Sequence, residues 1–242
     1  MLENSSNALI LGAGGAMGQA IVSNLLKDKR IEYVVAVSRS NAELQHPRLH
    51  WIQTQYDESA MSSVVDSLAK FSGSFSRVCI CHGILHDETM FPEKRMEDIG
   101  VEMMQTIFQA NTVVPCLWLK LLRKILTGPM ACKVACFSAR VGSTGDNRLG
   151  GWYSYRASKA ALNSALKTFS IEYARRAKNI KLIAFHPGTV NSAMSKPFHA
   201  TVPEGKLFEP DYVAHCLSEV MDNMQVDGHL SYVDYAGKSI PW

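Results

Sequence analysis

Asn7-Ala8-Leu9-Ile10-Leu11-Gly12-Ala13-Gly14-Gly15-Ala16-Met17-Gly18 decides how this chain folds. Its first five residues read as a short buried strand, and they run straight into a glycine-rich turn. Ile21, Val22, Leu25 and Leu26 follow on one face of a helix. Strand, glycine turn and helix in that order form a pyrophosphate cradle: glycines let the backbone approach the phosphates, and the free N–H groups of the helix start face the anion. A G-x-G-x-x-G fingerprint would need glycine at Met17, and a G-x-x-x-G-x-G would need it at Ala16. Alanine is the smaller departure, so Gly12, Ala16 and Gly18 are read as the second pattern, with Gly14, Gly15 and Met17 completing the turn.

Outward from this turn the same grammar repeats. Glu32–Val37, Leu49–Ile52, Arg77–Cys81, Lys133–Phe137, Lys181–Phe185 and Leu230–Val233 read as further strands. Helical patterns separate them at 59–70, 97–126, 153–176 and 211–224, and Pro115 is expected to kink the longest. Alternating strands and helices predict an α/β fold, a doubly wound parallel sheet of Rossmann-like type covered on both faces. No repeat, linker or composition shift divides residues 1–242, so a single domain is expected. The polar, proline-bearing stretch 189–210 is long for a connection and is read as a substrate loop.

Composition narrows the function. Of 242 residues 47% are hydrophobic and 19% charged, and the net charge is +3, which is too small to argue for nucleic acid. No run approaches the ~20 apolar residues of a membrane span. The opening residues carry an acid where a secretion signal carries positive charge, so a cytoplasmic protein without membrane association is expected. Cys79, Cys81, Cys132 and Cys136 lie in strand-like runs where side chains alternate faces; they read as buried small hydrophobes, and no metal is expected.

The chemistry-bearing stretch is Trp152-Tyr153-Ser154-Tyr155-Arg156-Ala157-Ser158-Lys159. On a helix, Tyr155 and Lys159 lie one above the other, and an ammonium so placed favours tyrosinate over phenol. A tyrosine shifted towards neutrality is a general acid or base.

With these residues in order, the chain resembles the short-chain dehydrogenase/reductase family. Within it the chain is most similar to the C-factor-like branch, through Tyr153-Ser-Tyr-Arg-Ala-Ser-Lys-Ala-Ala-Leu-Asn163, His186-Pro-Gly-Thr-Val190 and the ending Gly237-Lys-Ser-Ile-Pro-Trp242. The resemblance implies a nicotinamide-dependent oxidoreductase of carbonyl reductase or alcohol dehydrogenase type, acting on a small carbonyl or alcohol. Tyr155 would be its proton donor, and Lys159 would lower the tyrosine's pKa and hold the cofactor's ribose. Asn111, in Asn111-x3-Pro115, would anchor a water between Lys159 and solvent. Gly83, Pro187, Gly188, Thr189 and Val190 would line the nicotinamide half. A homodimer or homotetramer is implied as well.

Three departures stand out. Cys81-His82-Gly83 replaces the family's Asn-Ala-Gly. Thr54, with Asp57 three residues on, stands where the family keeps an acid near the adenine. In Phe137-Ser138-Ala139-Arg140-Val141-Gly142-Ser143, the catalytic serine falls on Ala139; Ser138 is the preferred replacement and Ser143 the other candidate. After the second strand, Ser38-Arg39 replaces the acid of NAD-selective members, so the expected cofactor is NADP(H). A dinucleotide-binding regulatory protein with little catalysis is the alternative. A methyltransferase of similar fold would want an acid at Ser38-Arg39.

Overall fold

The computed structural model describes residues 6–242 apart from Glu43. Strand β1 (Ser6–Leu11) is buried along its whole length and passes through the glycine turn into α1 (Ala16–Lys27). Then come β2 (Ile31–Ser38), β3 (Leu49–Gln53), α2 (Glu58–Ser67), β4 (Phe75–Ile80), α3 (Val101–Phe108), α4 (Val114–Leu126), β5 (Cys132–Phe137) and α5 (Tyr153–Arg176). The chain closes with β6 (Ile180–His186), a short β7 (Thr189–Val190), β8 (Leu207–Phe208), α6 (Pro210–Asn223) and β9 (Ser231–Asp234).

The main sheet has the order β3-β2-β1-β4-β5-β6-β9, every neighbouring pair parallel. Parallel strands need crossovers, and these place helices on both faces. One apolar layer joins Leu9, Val35, Val78 and Val134 to α2, α4 and α5, with Trp118 at its centre. The other joins Ile10, Ala36, Ala135 and Ile183 to α1 and α6. Adjacent residues of one strand thus feed opposite cores, as the two-residue period requires. The strand order reverses between β1 and β4, which opens a crevice beyond their carboxyl ends.

Two local features differ from the sequence reading. The helical pattern over 97–126 is not one kinked helix: α3 and α4 are joined by a wide π-type turn, Gln109–Val113, in which Val114 N–H donates to the Gln109 carbonyl. Pro115 has no N–H, so the chain absorbs the missing donor by widening the preceding turn, and Pro115 then sits in the first turn of α4 where no donor is needed. Within 189–210, β7 pairs with β8 and a 3₁₀ turn spans Lys196–Thr201.

Gly18 shows how tightly α1 meets the turn. A Cβ there would lie 2.5 Å from the Gly12 carbonyl oxygen and 2.6 Å from Ala13 Cα, both backbone atoms. Gly12 itself has φ +81°, which glycine alone adopts without strain. Gly18→Ala is expected to lower folding stability by about 1–3 kcal/mol, measured by denaturant unfolding, and to weaken dinucleotide binding in parallel.

Candidate active site

At the reversal point lies a cleft of about 810 Å³. Gly12, Gly14 and Gly15 form its floor, Ser38, Arg39 and Tyr56 one end, and Gly83 and Ile84 the other. Helix α1 opens on it with no side-chain cap at Gly15 and no acid in its first turn, so uncapped N–H groups and the positive end of the helix dipole face the space. Such a cradle fits a dinucleotide's phosphates. Ala16, Met17 and Gly18 stand behind it in the first turn of α1.

Arg39 is exposed, its guanidinium 5.5 Å above the Tyr56 ring, with no ion pair among the described residues. Ser38 is buried, and its hydroxyl lies 3.1 Å from that of Ser40. Asp57 is accounted for otherwise: its carboxylate caps α2, accepting from Ala60 N–H at 2.9 Å. Sequence reasoning overlooked Tyr56 and His82, although both follow strand ends beside the crevice. The His82 ring packs edge-on to Tyr56 at 4.3 Å and parallel to the Trp118 indole at 6.4 Å. Its buried Nε2 has no partner among the described residues, and burial pulls its pKa down to about 3, so the imidazole stays neutral.

The second half of the site is built on α5. Lys159 is 2% exposed and its ammonium donates to the Phe137 carbonyl at 2.8 Å. Gly142 and Gly83 make the space for it: a Cβ on Gly142 would lie 2.8 Å from Lys159 Cβ, and one on Gly83 would lie 3.2 Å from Lys159 Nζ. Through Gly83 the lysine adjoins the cleft. Asn111, fully buried in the wide turn, accepts from Ile84 N–H at 2.7 Å and donates to the Ile84 carbonyl at 3.0 Å and to Ser158 Oγ at 3.1 Å. Thr112 Oγ1 donates to the Ser158 carbonyl at 2.8 Å. The wide turn therefore clamps α5 directly before Lys159.

Tyr155 lies on the same face, its ring centroid 5.9 Å from the Lys159 ammonium. Its hydroxyl has no hydrogen-bond partner among the described residues, although the residue is only 9% exposed. The expectation that Lys159 draws the phenol towards neutrality is not met in this arrangement. Burial pushes Tyr155 up to about 12, with Tyr232 adding to it, and pulls Lys159 down to about 8. The lysine's charge is spent on the Phe137 carbonyl, and desolvation outweighs a cation almost 6 Å away.

The serine question has a geometric answer. Ala139 packs against Tyr155 together with Leu85, whereas the Ser138 hydroxyl is buried and donates to Asn163 Oδ1 at 2.6 Å. The strand's alternation carries the two residues to different surroundings, and the Ser138 hydroxyl spends its proton on Asn163. Ser143 is buried too, its hydroxyl accepting from Asp146 N–H at 3.1 Å. Pro187, Gly188, Thr189 and Val190 lie beyond β6 and outside the lining of the large cleft. Gly188 has φ +74°, and a Cβ there would lie 2.8 Å from the Phe208 ring; Val190 is buried.

A residue absent from the sequence reading orders the start of α5. Glu93, 1% exposed, accepts through its carboxylate from Ser154 N–H at 3.2 Å and from the Ser154 hydroxyl. Its carbonyl accepts from Trp152 N–H at 2.6 Å. An acid at a helix N-terminus satisfies orphan donors and favours the dipole. No motif announces it, because it lies 61 residues away from Ser154 in sequence.

The family model described as short chain dehydrogenase matches residues 6–203. A 1-hydroxy-2-glutathionyl-2-methyl-3-butene dehydrogenase of Rhodococcus sp. (strain AD45) is 25% identical over 98% of this chain and 100% of its own. The C-signal protein of Myxococcus xanthus is 36% identical over 46% of this chain and 61% of its own. Among solved structures, an NADPH-bound carbonyl reductase from chicken fatty liver superposes with a TM-score of 0.84 at 22% identity, covering 99% of this chain and 100% of that one. Glycine cradle, parallel sheet and the Tyr155–Lys159 helix thus meet the family model along most of the chain, which belongs to the short-chain dehydrogenase family.

Proposed function

We propose that the protein is an NADP(H)-preferring carbonyl reductase. The observation that carries this reading is Tyr155: a phenol without a hydrogen-bond partner among the described residues, beside Lys159, whose ammonium adjoins the dinucleotide cleft through Gly83. The bound dinucleotide supplies the reducing equivalent. Tyr155 holds its proton at neutral pH, since burial keeps its pKa at about 12, and an acid that keeps its proton suits donation to a carbonyl oxygen better than abstraction from an alcohol. Lys159 brings positive charge to the cleft beside Gly83, where it would hold the dinucleotide, and Asn111 fixes the helix register that keeps it there. The segment 189–210 forms the substrate loop. No helix of the described residues is long and apolar enough to cross a membrane. A cytoplasmic homodimer or homotetramer is the accompanying proposal, with α4 and α5 as the pairing faces.

Ala139 favours a second reading, a dinucleotide-binding regulatory protein, because a methyl group packs on Tyr155 where the family resemblance implies a serine, and the Ser138 hydroxyl is committed to Asn163. Oxidation of NADPH with a panel of aldehydes, ketones and quinones separates the two; absence of turnover despite cofactor binding would establish the second. Under the first, Tyr155→Phe keeps the ring and the cofactor affinity while turnover falls by a factor of about 10² or more. Near wild-type turnover in that variant would remove Tyr155 from the chemistry.

The cofactor preference rests on Arg39 and on Ser38 standing where an acid would repel a 2′-phosphate. A charge-assisted hydrogen bond to phosphate contributes about 1.5–3 kcal/mol, or roughly ten- to hundredfold in affinity. Titrating both cofactors should show NADPH preferred by wild type, and Ser38→Asp with Arg39→Ala should weaken NADPH by that factor and leave NADH unchanged or tighter. Equal affinities in wild type would refute the assignment.

Lys159 also has a pH signature. Its folded pKa of about 8 lies below the ordinary 10.5, so the native state releases this proton first as pH rises. Between these values the unfolded chain binds more protons, and stability through this group rises with pH; below about 8 the full cost of the buried charge applies. Denaturation of wild type and Lys159→Met in parallel is expected to show their stability difference shifting in favour of wild type from about pH 8 to 10.5. A pH-independent difference would show that the lysine is not held as described.

A further inference from the structure

Tyr155 is enclosed by side chains from three loops at the carboxyl ends of β4, β5 and β6. Leu85 and Ala139 pack on it directly, and Val141, Trp152 and Phe198 pack on that cluster. The Trp152 indole lies 6.2 Å from the Tyr155 ring and 4.9 Å from Phe198. Phe91 and His86 continue the aromatic row outward, at 5.7 and 5.9 Å from Phe198.

Trp152 is held at a cost. It is the one non-glycine residue with positive φ among those described, +54°, and it follows two glycines at +64°. A bulky residue in this region is strained, and such strain concentrates where a side chain must be aimed. The fold enforces it through the Glu93 carbonyl, which accepts from Trp152 N–H, and through Arg156, whose Nε donates to the Gly151 carbonyl at 2.9 Å. Glycine or asparagine would sit there more easily. What the strain secures is an indole against the reacting phenol.

The charged side chains of these loops are engaged elsewhere or exposed. Arg140 pairs with Asp146 at 3.5 Å, Glu93 is taken up by Ser154, Arg156 by Gly151, and Arg148 and Lys196 are exposed. Ala139 adds a methyl group where a hydroxyl would make the wall polar. The walls around Tyr155 are thus largely apolar and aromatic, and the polar groups beside it are committed: the Lys159 ammonium donates to the Phe137 carbonyl and the Tyr232 hydroxyl to the Ala139 carbonyl.

We infer that this cage is the substrate subsite and that it selects carbonyl compounds bearing an aromatic ring, stacked on Trp152 in the place that Phe198 occupies. The inference rests on the reductase reading and deepens it. Phe198 rides on the short 3₁₀ turn Lys196–Thr201, most of whose side chains are not buried, so its ring is the movable wall, while Trp152 is anchored at α5. In the reduction, a bound reduced nicotinamide cofactor would supply a hydride, one proton with two electrons, to the carbonyl carbon and be left oxidised. The carbon–oxygen π bond opens, and the oxygen takes the Tyr155 proton to give the aryl alcohol and oxidised cofactor; the tyrosinate regains a proton from solvent.

The test pairs kinetics with a binding measurement that needs no turnover. NADPH oxidation is followed with benzaldehyde and acetophenone against glyceraldehyde and pyruvate. Acetophenone is also titrated calorimetrically into the protein with and without NADP⁺. Wild type is expected to favour the aryl compounds at least tenfold in kcat/KM. Trp152→Ala should raise the aryl KM and the acetophenone Kd about tenfold, the loss of one stacking partner, with NADP⁺ affinity unchanged, and Trp152→Phe should restore most of it. Phe198→Ala, which removes the resident ring, should bind acetophenone as well as wild type or better. If Trp152→Ala does not fold, Trp152→Gly relieves the strain and asks the same question. Polar carbonyls reduced as well as aryl ones, or an acetophenone Kd indifferent to Trp152, would overturn the inference and leave the reductase reading intact. Saturable, Trp152-dependent acetophenone binding without turnover of any carbonyl would do the reverse.

Discussion

The buried lysine ammonium of α5 sets the terms for everything around it. A charge that is 2% exposed needs a partner, and the Phe137 carbonyl at the end of β5 provides one. To reach it, α5 must come so close to the following loop that Gly142 has no room for a side chain, and Gly83 must stay bare beside the ammonium. The same demand explains the wide turn before Pro115: Asn111 and Thr112 grip Ser158, one residue ahead of the lysine, and fix the helix rotation. Strand end, two glycines and a helical irregularity, scattered over some eighty residues, answer to one buried charge.

The dinucleotide half is governed by a different constraint, the close approach of backbone to phosphate. Here the glycine turn leaves helix N–H groups uncapped, and the side chains that follow β2, β3 and β4 supply the walls. His82 stands where the family resemblance implies the small residue of Asn-Ala-Gly. A neutral imidazole wedged between Tyr56 and Trp118 takes the place of a small residue, and its orphaned Nε2 costs solvation that nothing described repays. The wall that Arg39, Tyr56, His82 and Trp118 form is a continuous stack from the cleft's edge into the core.

Much of this was readable from the chain. The strands could be placed because parallel central strands are apolar runs between glycines, and α5 because Tyr153 and Arg176 bound an uninterrupted pattern. The cradle followed from residue order alone. Four things were hidden. The wide turn was hidden because a proline signals a missing donor without saying how the backbone will absorb it. The serine position stayed open because the surroundings of Ser138 and Ala139 depend on which face of a strand end turns towards α5, and that is not written in the local sequence. Glu93, Tyr56 and His82 come to the site from separate loops, and no local spacing links them to Tyr155 or to the glycine turn. The phenol's electrostatics also escaped the sequence: helical spacing puts Lys159 near Tyr155, but it does not reveal that the charge is already committed.

The left-handed Trp152 bears on how this protein would respond to engineering for robustness. A consensus or stability-guided redesign ranks position 152 by backbone preference and replaces the indole with glycine or asparagine, gaining folding free energy of about 1 kcal/mol. That gain would come at the expense of the side chain that packs against Tyr155. Thermal robustness and chemical selectivity therefore pull in opposite directions at a single residue, and screening variants by melting temperature alone would erase the feature that makes the pocket particular.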